Sequence, residues 1–497
     1  MRVKLAGFNI DSDILQRLDP GRGPHLTPET LSAAYARISR SSLAVDQLRK
    51  QACQDVEKAR RSNQKIIFEM GHHSVAEHAV FNFDIMGVSR LALEEIERFR
   101  LASYTEKSQR YVTLKGDWVL PRELRAPVLK AIFQAAVDKQ NRFYFKACEK
   151  LNRRLQLRHP EITRNASGQR LVEGWAKEDA RYILSLATSG QVGMTVNARS
   201  LEHMFRNWHL SPREEVRRLA AKLHALVLPI APSLILFPEP TEFDRGAFAA
   251  LDAYFVAAPG PARPRPGHDL EIVSSTADSD DTILASRLSA HGNLDFNRAL
   301  IQVKKCSPGR KKSLLKEFFR KVQFFSAMPR EFEMAGITLQ AVVSASCFAQ
   351  LKRHRMATLL TGDYAPGLGF TLPASIRDAG LGEEFHAIIR ASDDAYRRLR
   401  ESGGAAADYV LTNSHRRRVL MKMNLREIYH FVRLRDDAHA QWDIRELAHE
   451  LAAKVKELMP LTAMMLCGKS RFAEEYGDIF SNPPGGAAPQ PSPGQEI

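Results

Sequence analysis

The sequence contains no run of the roughly 18 apolar residues that a membrane-spanning helix requires, so no transmembrane segment is expected. Cysteine is scarce. Cys53, Cys148, Cys306, Cys347 and Cys467 lie scattered with no C-x-x-C pair, which argues against zinc and predicts reduced core thiols in a cytoplasm. The opening MRVKLAGFNIDSDILQRL has one short apolar patch broken by aspartates and no small-residue cleavage site, so a secretory signal is not expected. The basic stretch SHRRRVLMKMNLR (414–426) lacks the interleaved aromatics that single-stranded nucleic-acid grooves use, which disfavours that partner.

What is present is length and positive charge. At 497 residues and 44% hydrophobic content, the chain has enough apolar material for two or three domains with a sizeable core. The formal charge of +15 fits either a nucleic-acid-binding face or basic pockets for small polyanions such as nucleotides and folates. Composition does not separate the two.

Proline, glycine, serine and aspartate dominate residues 257–281, AAPGPARPRPGHDLEIVSSTADSDD, and predict a linker over about 251–282. The tail 481–497, SNPPGGAAPQPSPGQEI, is expected to be disordered. Two globular parts remain, 1–250 and 283–480. They look related, because VNARSLEHMFRNWHL in the first and MNLREIYHFVRLR in the second each carry Asn-x-Arg, a His six residues after the Asn, and a following amphipathic helix that ends at a proline. In the second part Ile444, Leu447, Ala448, Leu451, Ala452, Val455 and Leu458 keep the rhythm of a one-faced helix. The spacings between motifs differ, as in a diverged duplication rather than a repeat array. AVFNFDIMGVS (79–89) alternates like a strand, RLALEEIERFR follows with helical character, and a polar loop is expected next. ITLQAVVSASCFAQLKRHR repeats that pattern, so mixed α+β is expected in both parts.

Four stretches carry candidate chemistry. In RFRLASYTEKSQRY (98–111), Glu106, Ser108, Gln109 and Arg110 combine a hydroxyl, backbone N–H groups and an arginine fork, a set suited to a phosphate monoester. Charges pairing among themselves in a solvated loop would look the same. GHHSVAEH (71–78) gathers His72, Ser74, Glu77 and His78 without the H-E-x-x-H spacing of a zinc site. Ser74 and Glu77 could form a capping box, and ligand binding stays equally open. Arg353, His354 and Arg355 could be no more than a basic helix end. The fourth stretch is the Asn-x-Arg segment itself.

Together these motifs resemble the flavin-dependent thymidylate synthases, whose signature is R-H-R-x(7)-S-x-R-Y. Residues 98–111 match it with Phe99 in place of histidine, 71–78 is similar to the family's G-H-x-S-x-x-E-H, and 424–445 is similar to its late N-x-R…H-F-x-x-L-R…A-Q-W-x-I-R segment. The resemblance implies an α+β fold, a mixed or antiparallel sheet with packed helices, in two diverged copies. It implies FAD-dependent reductive methylation of dUMP to dTMP, with methylenetetrahydrofolate and NADPH as co-substrates. Family members are homotetramers whose sites lie between subunits, so a homodimer forming a pseudo-tetramer of domains is expected.

By the same resemblance, the first part keeps the phosphate side, Glu106, Ser108, Gln109 and Arg110, with Arg181 sixteen residues before Asn197. It has lost the opposite side: Glu95 stands for a glutamine, Phe99 for the histidine and Trp208 for the late arginine. The second part keeps Gln350, Arg353, His354, Arg355 and Arg435, while its loop reads LLTGDY and Asp408 stands where Arg181's counterpart falls. Loss of opposite sides is the pattern expected when two copies combine into one composite site. Arg435 would polarise the uracil and would count as the catalytic residue. FAD contacts would come from His72, Ser74, Glu77, Arg353, His354, Arg355, Asn424, Arg426 and His430. Arg98, Arg100, Asn197 and Arg199 could hold a second flavin or be structural, and MPREFE (328–333) has no role by resemblance. The alternatives are a related flavin- and folate-dependent change to a pyrimidine nucleotide, such as a hydroxymethylation, and a non-catalytic paralogue binding nucleotide or nucleic acid.

Overall fold

The computed structural model describes residues 1–15, 26–110, 112, 114, 116–248, 251, 253–254 and 267–480. The tail at 481–497 and most of the first half of the 251–282 linker lie outside those residues. Two compact units form, and they do not follow chain order. One comprises Met1–Gly260 with Leu372–Asn413, the other Pro261–Thr371 with Ser414–Ile497.

The first unit holds an antiparallel sheet of β1 (Arg2–Phe8), β2 (Val80–Ser89), β3 (Ala102–Glu106) and β4 (Ser189–Asn197), in the order β1-β2-β4-β3. The second unit repeats it with β5 (Glu271–Ser275), β6 (Gly336–Ser344), β7 (Thr358–Thr361) and β8 (Arg416–Asn424), in the order β5-β6-β8-β7. An identical strand order in both is what a duplicated α+β domain predicts. Of the central strands, β2 and β6 lie in the two stretches read as strand followed by helix. Phe81, Phe83 and Ile85 of β2 point into the core between more exposed neighbours, and Ile337, Leu339 and Ala341 of β6 do the same until the strand becomes buried on both faces from Val342.

Each central strand delivers its chain into a helix through the same device. Ser89 Oγ accepts from Ala92 N (2.9 Å) to start helix Arg90–Glu97, and Ser344 Oγ accepts from Cys347 N (3.0 Å) to start helix Ala345–Leu351. The asparagine of each Asn-x-Arg motif is likewise an N-cap. Asn197 Oδ1 accepts from Ser200 N (2.8 Å) and Asn424 Oδ1 from Glu427 N (2.9 Å), opening helices Ala198–His209 and Leu425–Arg435. These caps set where every later residue of the motif faces.

Several expectations are corrected. Glu271–Ser275, inside the stretch read as linker, is the edge strand β5. The polar segments after the two R-x-R turns contain the edge strands β3 and β7. His73–His78 is a 3-10 turn with no side-chain cap, so Ser74 and Glu77 form no capping box. Leu458 ends its helix 43% exposed, while the other six named apolar residues of that face are buried.

The segment Leu372–Asn413 contributes the long helix Gly382–Gly403 to the first unit. It packs on helix Pro127–Arg158. Phe385 meets Phe143 edge to face (5.8 Å between centroids), and Gln140 Nε2 donates to Ser392 Oγ (2.8 Å) and to the Val410 carbonyl (2.9 Å). Part of the second sequence copy is therefore core structure of the first unit.

Candidate active site

In the first unit, β3 ends at Glu106 and the chain turns through Ser108, Gln109 and Arg110. Ser108 Oγ accepts from Arg110 N (3.1 Å), which closes the turn. Glu106 lies 3.8 Å from buried Arg90, which also pairs with Glu94 (3.1 Å). The Arg110 guanidinium takes the Glu178 carboxylate. Arg181 is 5% exposed and spends its Nε on the Glu178 carbonyl (3.2 Å), while its Nη2 is buried with no hydrogen-bond partner among the described residues. Burial lowers the Arg181 pKa, against the pull of the Glu178 carboxylate. Arg110 thus holds the Glu178 carboxylate and Arg181 the carbonyl of the same residue, around a serine-bearing turn, and one buried guanidinium nitrogen is left as an unused donor that an anion could take.

In the second unit, Gln350, His354 and Arg435 form one hydrogen-bonded cluster. Arg435 donates from Nε to His354 Nε2 (3.0 Å), from Nη1 to Gln350 Oε1 (3.3 Å) and from Nη2 to the Gln350 carbonyl (3.3 Å). R-H-R is split by burial, with His354 4% exposed and Arg353 and Arg355 turned outward. Burial, reinforced by Arg435 and His430, holds the His354 pKa well below the ordinary histidine range. The ring is therefore neutral and free to accept from Arg435. Because the unfolded chain takes up that proton near pH 6.5 and the folded chain only well below it, the His354 contribution to stability falls as pH drops below about 6.5, while Glu427, 3.4 Å from its Nδ1 and raised by burial, works in the opposite sense. Melting curves from pH 8 to 5 should show this loss, and His354→Gln should flatten it.

Asn424, Arg426 and His430 line one cavity of about 640 Å3 with Glu333, Phe324, Phe325 and Arg433. Arg426 pairs with Glu333, whose carboxyl is held below its usual range first by that contact and then by Arg330. This assigns MPREFE. Glu333 stands three residues before β6 as Glu77 stands three before β2, and Glu77 pairs with Arg199 as Glu333 does with Arg426. His72 and Ser74 instead face a separate pocket of about 150 Å3 beside Tyr35 and Arg40. In the first unit, Arg98, Phe99, Arg100 and Arg199 line a cavity of about 700 Å3 equivalent to the one at Arg426.

The positions that differ between the copies are coupled in space. Trp208 Nε1 donates to the Glu95 carbonyl (3.4 Å), as Arg435 does to that of Gln350. Phe99 packs edge to face on Trp208 (5.7 Å), so an aromatic pair stands where the second unit has its His–Arg pair. Gln350 Nε2 reaches Gln441 Oε1 (3.5 Å), whereas Glu95 meets Arg213 at the equivalent place (2.6 Å). Arg213 also binds Asp408 (2.6 Å). Burial alone would lower the Arg213 pKa, but Glu95 and Asp408 raise it above the usual arginine value. Sequence reasoning missed Arg213, and its signal is faint: it stands two residues before buried Glu215, as Gln441 stands two before Asp443.

The family description "Thymidylate synthase complementing protein" matches residues 24–233 and again 271–461. The chain belongs to that family. A flavin-dependent thymidylate synthase of Geobacter sulfurreducens is 33% identical over 218 residues, covering 42% of this chain and 80% of that protein. One from Clostridium tetani is 29% identical over 217 residues, 43% of this chain and 83% of that protein. A UPF0159 protein of Thermoplasma acidophilum is 23% identical over 451 residues, 80% of this chain and 86% of its own length. Among solved structures, the UMP/dUMP methylase PolB of Streptomyces cacaoi covers 41% of this chain and 95% of its own, at 20% identity and a TM-score of 0.32. The first two relatives span one copy each, and the double match marks this chain as the family's tandem-duplicated form. Among the described residues no helix is long and apolar enough to cross a membrane.

Proposed function

We propose that this protein methylates dUMP reductively to dTMP, with FAD as cofactor and methylenetetrahydrofolate and NADPH as co-substrates, one residue set from each copy serving a single substrate. The carrying observation is Arg181, a buried guanidinium with an unused Nη2 beside the Ser108–Arg110 turn, which is the donor set a phosphate monoester satisfies. Ser108, Gln109, Arg110 and Arg181, with Glu106, would hold the nucleotide's phosphate end. Gln350, Arg353 and Arg435 would hold the base. Arg435, oriented by neutral His354 and by Gln350, places positive charge against the uracil and favours its ionised form. Support for pairing the copies comes from the discarded positions. Asp408 of the second copy and Glu95 of the first meet on Arg213, so opposite-side positions from the two copies do come together.

The cavity at Asn424, Arg426 and His430 fits a flavin, being of ligand size, walled by Phe324 and Phe325, and provided with a cation for phosphate. Arg353, His354 and Arg355 belong to the same proposed flavin set, and His72, Ser74 and Glu77 are proposed flavin contacts of the first unit. Bound there, the flavin would supply hydride; the protein's own work is to bind, orient and polarise. A homodimer carrying four domain copies is part of the proposal. Purified protein should be yellow and should convert dUMP to a product 14 mass units heavier only when dUMP, methylenetetrahydrofolate and NADPH are all supplied. A product 30 units heavier would favour hydroxymethylation. A colourless protein with no product would sink the enzyme reading.

A further inference from the structure

Asn413 lies just before β8, in the segment that the second copy gives to the first unit, and is 1% exposed. Its backbone N–H donates to the Leu184 carbonyl (2.9 Å). Its side-chain Nδ2 donates to the Arg181 carbonyl (3.0 Å) and to Gln109 Oε1 (3.3 Å). The Arg181 carbonyl fixes which way round the amide sits, since only the nitrogen can donate to it. One side chain from the second copy therefore ties together two residues of the phosphate half-site. Two orphans accompany it: Asn413 Oδ1 and Arg181 Nη2 are both buried without a partner among the described residues. The first copy has Leu186 at the equivalent place, eleven residues before its Asn-x-Arg. A hydrocarbon is thus sufficient for packing there, and a buried amide is costly unless its bonds serve a purpose.

Building on the functional reading above, we infer that Asn413 is a positioning residue of the nucleotide site. It fixes the Gln109 side chain and the Arg181 backbone so that the loop and the buried guanidinium are in place before an anion arrives. Gln109 alone would swing free on its rotamers, and Arg181 would have no tie at its own carbonyl beyond the turn to Leu184.

The test is Asn413→Leu, which installs the first copy's own side chain, measured in the full-length flavin-loaded protein by equilibrium dialysis with dUMP. Affinity should fall about tenfold, as for loss of one or two hydrogen bonds, while flavin content, melting temperature and KM for NADPH stay at wild-type values. The loss should appear in KM for dUMP and leave kcat within about twofold, the mark of lost ground-state positioning. Unchanged dUMP affinity, or a parallel decline of affinity, flavin content and melting temperature, overturns the inference. If Asn413→Leu does not fold, Asn413→Ala decides on the same readout, since it removes both donated bonds and adds no charge. Wild-type protein that binds no dUMP would overturn the functional reading and this inference together. Wild-type binding with unaltered Asn413→Leu overturns the inference alone.

Discussion

Arg435→Ala should lower kcat for dUMP methylation by about 100- to 1000-fold, the scale of removing one charge-stabilising donor from an active site, and should leave a folded, yellow protein. Three hydrogen bonds of Arg435 go to neutral groups, the His354 imidazole and the amide and carbonyl oxygens of Gln350. Those partners lose a donor, not a counter-charge, so the loss of these three bonds should cost about 1–3 kcal/mol in stability. Arg435→Lys keeps the charge but cannot reach three acceptors from one planar fork, so it should restore little. Arg110→Ala should instead act on dUMP binding, because Arg110 belongs to the phosphate turn. If Arg435→Ala kept kcat within threefold of wild type, the division of roles between the two copies would be wrong.

Arg213→Ala should be the most destabilising charge deletion in the first unit, by about 3–5 kcal/mol, with no loss of dUMP-binding capacity. The deletion takes the closest cation from two carboxylates: the Asp408 side chain is 5% exposed and that of Glu95 17%, and Arg213 holds both at 2.6 Å, while Arg400 at 3.7 Å from Asp408 and the Ser211 hydroxyl on Glu95 stay behind. The damage should shrink as pH falls, because protonation relieves whichever carboxylate is left uncompensated. Adding Glu95→Gln and Asp408→Asn should recover much of the stability, since neutral amides of the same shape replace the stranded charges. The same contacts predict the binding count. With Arg213 bridging the counterparts of Gln350 and Arg181, no anion can take that place, so titration should saturate at one dUMP per chain. Two per chain would show that the bridge opens. Equal melting temperatures for Arg213→Ala and wild type would show that it carries no energy.

The elements that position the site were legible where local physics decides them. Alternation found β2, and the similar pattern in the second copy found β6, while the central strands β4 and β8 were not read from it; the serine or asparagine opening each helix is visible as a cap once the strand is placed. The edge strands were not. β5 lies in a stretch whose prolines, serines and aspartates read as linker, and β3 and β7 are short and half-exposed, so pairing with a neighbour rather than side-chain pattern makes them strands. Glu333 was hidden because MPREFE shares almost no letters with GHHSVAEH, although both are 3-10 turns delivering a glutamate to the arginine of Asn-x-Arg. Ser74 and Glu77 looked like a capping box only because that motif presumes an α-helix. Arg213 and Asn413 could not be singled out at all. Each acts on residues more than a hundred positions away, and only the folded chain names the partners.

Asn413 and helix Gly382–Gly403 also set a timetable. The face of helix Pro127–Arg158 that carries Phe143 and Gln140 has its cover encoded more than two hundred residues downstream. On the ribosome, the first unit must wait half-built while β5 to β7 emerge, and it can close only after the chain has passed residue 413. A gene cut at the linker would therefore leave the first half without the cover of that helix face, and the second half carrying a segment whose packing partner is gone.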